Sequence, residues 1–185
     1  DAEVVNPIRL QNIIDRLTAE LQVVVDRGEP LPPEAAELYR GLGELALERG
    51  DLGAAAAHLL RSKELGEGGE LPGWRWRWCV AQARFNETAG DLEGALDLLD
   101  EAQRLFVRTP LPDARPLAAL KARIWVKQGR VAEALEWVRG RGLSVDAECS
   151  YLREFELVTL AKVLIARHQS DPGDGAVHEA ANLLE

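Results

Sequence analysis

Apolar residues recur along this chain at helical spacing and nowhere in the strict alternation of a half-buried strand. Ile8, Leu10, Ile13, Ile14, Leu17, Leu21 and Val24 form one face of a leading helix. Asn6 is placed to cap it, Pro7 suits its first turn, and Gly28 stops it. The same pattern predicts helices over about 33–49, 51–65, 72–89, 91–107, 113–128, 131–140 and 150–168, with Ser150 as a cap for the long one. A last helix is expected to run to the end of the sequence. Gly66-Glu67-Gly68-Gly69, Pro110 to Asp113, and Asp171-Pro172-Gly173-Asp174 read as loops.

The helices carry a repeated corner. Gly50-Asp51-Leu52 with Ala55 recurs as Gly90-Asp91-Leu92 with Ala95 and as Gly129-Arg130-Val131 with Ala134. A weaker copy, Gly175-Ala176-Val177 with Ala180, follows. A glycine after a helix can take the left-handed conformation that closes the last turn, and Asp51 and Asp91 can cap the next helix. The alanine after each corner and a small residue before it (Gly43, Ala83, Ala122) remove bulk from both arms. Two helices can then lie close and antiparallel. The expected fold class is therefore all-α, a right-handed superhelical solenoid of antiparallel helix pairs with about nine helices. Residues 1–185 read as a single helical-repeat domain, with a leading helix over 7–28 and pairs at about 33–65, 72–107, 113–140 and 150–185, the last incomplete. Tyr39, Leu42-Gly43, Gly50-Asp51-Leu52 and Ala55 match the tetratricopeptide consensus, although a spacing of 39 or 40 residues exceeds the usual unit of about 34.

Composition narrows the function. The formal net charge of −9 argues against a chain that coats nucleic acid through a basic face. No apolar stretch is long enough to cross a bilayer, and no signal peptide is visible. The absence of methionine, with Asp1 first, reads as a segment of a longer protein. Cys79 and Cys149 lie 70 positions apart with no metal spacing; packed thiols in a reducing, cytoplasmic setting are the main reading, a bridge the lesser one. His58, His168 and His178 are scattered, so no metal site is expected. No cofactor motif, nucleophile elbow or paired-carboxylate constellation appears, and the expectation is a protein that is not an enzyme.

A longer run of motifs carries a family resemblance. Gly90-Asp91-Leu92-Glu93-Gly94-Ala95-Leu96 leads into Leu98-Leu99-Asp100-Glu101-Ala102, followed by Arg115-Pro116-Leu117 and Gln128-Gly129-Arg130-Val131-Ala132-Glu133-Ala134-Leu135. Arg141-Gly142-Leu143-Ser144, Ser150-Tyr151-Leu152-Arg153-Glu154-Phe155-Glu156 and Leu160-Ala161-Lys162-Val163 complete it. Over about residues 50–168 the chain resembles the helical-repeat region of large MalT-like transcriptional regulators with a LuxR-type DNA-binding end. Cys79 and Leu157 depart from that family, in which a polar residue and a histidine are usual there. The resemblance implies a cytoplasmic effector-sensing or protein-binding region flanked by an ATPase and a helix-turn-helix. Its partner would be a small-molecule effector or a regulatory protein or peptide, with no direct nucleic-acid contact and no membrane; separately, a cut solenoid leaves apolar ends exposed, which makes self-association through the terminal helices a further alternative. A free-standing scaffold for protein assembly, unrelated to transcription, is the alternative.

Candidate binding residues follow from the repeat geometry. The first helix of each pair lines the concave surface of such solenoids. Counting from the glycines places Arg40 and Glu44, then Arg77 and Arg84, then Arg123 on that surface. Guanidinium forks there suit an anionic small molecule or an acidic peptide. The alternative is a solvated face balanced by Glu44 and Glu87. In Trp74-Arg75-Trp76-Arg77-Trp78, the first and last indoles share a helix face while Trp76 points away. Trp76 beside Arg77 is a candidate contact surface, with packing by all three indoles as the alternative. Trp125 and Trp137 sit among Ile124, Val126, Leu135 and Val138 and are expected in the core.

Overall fold

The computed structural model describes residues 7–27, 30–69, 71–106, 115–144, 150, 152–171 and 181. Among these residues there are eight helices and no strand: α1 Pro7–Asp26, α2 Ala35–Glu48, α3 Leu52–Glu67, α4 Trp74–Ala89, α5 Leu92–Leu105, α6 Leu117–Lys127, α7 Val131–Arg141 and α8 Glu154–Ser170. The all-α, tetratricopeptide-like fold class stands. The weak fourth corner at Gly175 and the cap at Asn6 lie outside the described residues.

The three corners form as their residue types require. Gly50, Gly90 and Gly129 have φ of 74°, 90° and 74°, the left-handed region that glycine enters without penalty. Asp51 Oδ1 accepts the Ala54 amide at 2.9 Å, and Asp91 Oδ1 accepts the Gly94 amide at 2.9 Å. Asp91 Oδ2 also accepts from Asn86 at 2.9 Å. In the third corner Arg130 replaces the aspartate and makes no side-chain cap. Ala55, Ala95, Ala134 and Ala122 are fully buried, Ala83 nearly so.

Two compact units divide the chain, Asp1–Ala81 and Gln82–Glu185. In the first, α2 and α3 are antiparallel. A Cβ on Gly43 would meet Leu59 Cγ at 2.8 Å, and Ser62 Oγ donates to the Ala36 carbonyl at 2.7 Å, so residues equidistant from the corner face each other. Trp74 and Trp78, both buried on α4, close this core. The Trp74 indole donates to Ser62 Oγ at 3.3 Å and the Trp78 indole to the Leu59 carbonyl at 3.0 Å. Lys63 and Arg75 lie 5.6 and 5.2 Å from the Trp78 ring. Cys79 is fully buried in this core; Cys149 lies outside the described residues.

Several boundaries differ from the sequence expectation. Helix α3 continues to Glu67, so Gly66 is helical and buried instead of opening a loop. Helix α4 starts at Trp74, two residues after Pro72, because Gly73 turns the chain at φ 70°. Helix α8 starts at Glu154: the Ser150 carbonyl accepts from the Arg153 and Glu154 amides, and Ser150 itself precedes the first turn.

In the second unit, Ala119, Ala122, Ala134, Trp137 and Val163 form a core joined by Trp125, Val126, Leu135, Val138, Leu143 and Phe155. Trp137 is buried, as the sequence predicts, whereas Trp125 is half-buried and packs against this core from its edge. The buried Glu156 carboxylate, in the first turn of α8, accepts Arg141 Nε at 2.9 Å and Nη2 at 2.6 Å from the last turn of α7. Each charge sits at the helix end whose dipole favours it.

Candidate functional site

In the first unit the charged face gathers on Glu37 of α2. Arg40, one turn later, donates Nε to Glu37 Oε2 at 2.9 Å and also pairs with Glu44. From α4, Arg77 places Nε at 3.0 Å and Nη2 at 2.5 Å from Glu37 Oε1. Glu37 and Arg77 are 40 residues apart, one repeat, so they occupy equivalent positions on successive first helices. Burial pushes the Glu37 carboxyl upward, but the hydrogen bonds and charges of Arg77 and Arg40 together outweigh it and hold it below its ordinary value. The Arg77 guanidinium also lies 5.7 Å from the half-buried Trp76 ring. Arg40, Arg77 and Trp76 thus belong to one cluster, with both cations engaged by Glu37, a carboxylate that the spacing from the corner glycines does not single out.

In the second unit the picture is different. Arg84 on α4 is half-buried, and its carbonyl accepts the Thr88 hydroxyl at 2.8 Å. Arg123 on α6 lies 5.1 Å from the Phe155 ring centroid. One turn later, Lys127 pairs with Glu87 of α4 at 2.8 Å, so Glu87 does supply the counter-charge expected of it. Arg123, Val126 and Lys127 of α6, with Lys162, Ile165, Ala166 and Gln169 of α8, line a cavity of about 220 Å³. Burial lowers the Lys162 ammonium pKa, and the charges of Arg123 and Lys127 lower it further against a partial offset from Glu87. Among the described residues, neither Arg123 nor Lys162 has a carboxylate at ion-pairing distance.

The sequence carried a signal for Lys162 that spacing from the corner glycines concealed. Glu44, Arg84, Arg123 and Lys162 follow one another at 40, 39 and 39 residues. The fourth corner glycine, in contrast, comes 46 residues after the third. Stepping the side-chain positions forward would have reached Lys162; counting back from Gly175 does not.

None of the curated proteins and none of the solved structures compared with the chain matches it. A family model, the MalT-like TPR region, matches residues 9–185. The corners at Gly50, Gly90 and Gly129 and the buried alanines beside them lie inside that match, and the chain belongs to the family of MalT-like tetratricopeptide-repeat regions.

Proposed function

We propose that this helical-repeat region is the non-catalytic sensing part of a cytoplasmic bacterial transcriptional regulator of the LuxR-type class. It takes up an effector or a regulatory protein on the face formed by the first helices of its pairs. The observation that carries this reading is the family match along residues 9–185. Two features support the choice of face. Its helices rest on alanine and glycine contacts that fix their spacing, and its surface side chains are long, charged groups and indoles suited to recognition. Regulation would follow from differential affinity: a ligand that prefers one arrangement of the helices draws the parent protein toward it.

The test is a comparison of effector or partner capture by the full-length protein with that of its Arg77→Ala and Arg84→Ala variants. Weakened capture in at least one variant is the expected result, and unchanged capture in both removes the first-helix face as the docking surface. Sequencing the coding region on both sides separates a regulator, with a phosphate-binding loop upstream and a helix-turn-helix downstream, from a free-standing scaffold.

A further inference from the structure

The cavity between α6 and α8 has a composition that selects its occupant. Its basic groups are Arg123, Lys127 and Lys162, and among the described residues the carboxylate that reaches this cluster is Glu87, already engaged by Lys127 at 2.8 Å. Three cations against one carboxylate leave a net charge of two to be met. Of the remaining walls, Val126, Ile165 and Ala166 are apolar and accommodate a short hydrocarbon body, and Gln169 adds a polar amide. At about 220 Å³ the space falls below the roughly 300–1,000 Å³ typical of drug-sized ligands. A small molecule therefore fits it better than a peptide segment.

We propose that this cavity binds a small organic dianion, a phosphomonoester or a short dicarboxylate, held by the Arg123 fork on one helix and the Lys162 ammonium on the next. The planar guanidinium accepts either anion in a bidentate geometry, while the ammonium acts as a point charge. An anion placed there also offsets, through its opposite charge, what disfavours the charged form of Lys162, burial first and then the repulsion of Arg123 and Lys127. Binding at alkaline pH is then accompanied by proton uptake, and affinity falls as Lys162 loses its proton. This inference rests on the first-helix face being the docking surface and names the ligand class for its second unit.

The experiment is calorimetric titration of the intact chain with propyl phosphate, succinate and inorganic phosphate, with propionate as the monoanion control. The dianions are expected to bind at least tenfold tighter than propionate. Lys162→Gln and Arg123→Gln are each expected to weaken them at least tenfold. Lys162→Arg retains most of the affinity, and Arg61→Gln on α3, which removes only the pair with Glu64, leaves it unchanged. Titrations at alkaline pH in two buffers of different ionisation enthalpy are expected to reveal proton uptake that Lys162→Arg abolishes. Whichever of propyl phosphate and succinate binds tighter identifies the member of the class. Propionate matching the dianions, or Lys162→Gln binding like the wild type with its helical circular dichroism intact, overturns the proposal. If the dianions fail while the full-length protein still captures its partner in an Arg84-dependent way, the dianion site falls and the docking face stands. Loss of both removes both.

Discussion

Gly66 and Gly41 are both glycines inside helices, and their surroundings give them opposite roles. A Cβ on Gly66 would lie 2.2–2.5 Å from three atoms of the Trp74 indole, which rests directly on the α3 backbone. A Cβ on Gly41 meets nothing within 4 Å. Gly66→Ala is expected to destabilise by about 1–3 kcal/mol, the usual cost of overpacking a fixed ring. Gly41→Ala should instead stabilise by about 0.5–1 kcal/mol through helix propensity. Urea denaturation of the two variants checks the difference in sign. Ser62→Ala belongs to the same neighbourhood. It removes the acceptor of the Trp74 indole and a donor to Ala36, and is expected to cost about 1–3 kcal/mol by the same measurement. None of this was legible in the sequence, where Gly66 reads as the first residue of a Gly-rich loop. The signal that decides it, an aromatic ring eight residues later folding back onto that turn, is tertiary.

At the scale of helices, the corners were legible because their chemistry is local. A glycine that needs positive φ, an aspartate one residue on and an alanine four residues further can be read without knowing what packs against them. The two capped corners also make a graded prediction. Asp51→Ala should cost about 1 kcal/mol, the ordinary value of an N-cap. Asp91→Ala should cost more, because Oδ2 also receives Asn86 and that hydrogen bond is lost with the cap. Thermal denaturation of the two variants ranks them; equal losses would show that the Asn86 contact contributes nothing. What the corners did not reveal is where α6 and α8 begin. Pro116 fixes the start of α6, and α8 starts after a backbone turn on Ser150, so neither start carries a side-chain cap of the kind that marks α3 and α5.

At the scale of the whole chain, the acidic surplus seen in the sequence conceals a local reversal of sign on α6 and α8. Counting charges finds −9 overall; only the 39-residue phase of Arg84, Arg123 and Lys162 places basic groups together. The charged groups also set the response to acid. Glu37 is held below its ordinary value of 4.5, so between that value and its native one the unfolded chain takes up a proton that the folded chain refuses. Its contribution is complete above pH 4.5 and disappears as pH falls through the native value. His58 behaves alike at higher pH. Burial lowers its pKa from 6.5 despite Asp51, so protonation favours the unfolded chain below that point. Stability measured by urea is expected to decline in two steps on acidification. Glu37→Gln should lower the plateau and flatten the acid step, and His58→Gln should flatten the upper one. A profile unchanged by either substitution would rule out these assignments.

The Trp74 and Trp78 rings, 6.2 Å apart and tilted by 34°, sit where the last turn of one helix pair receives the first turn of the next. Their electronic transitions are close enough to couple, and the coupling depends steeply on separation and angle. Any event that loosens or tightens that joint would change near-ultraviolet ellipticity while helix content stays constant. The chain thus carries an intrinsic optical gauge for the packing of α4 on α3, readable without labels whenever an effector is added.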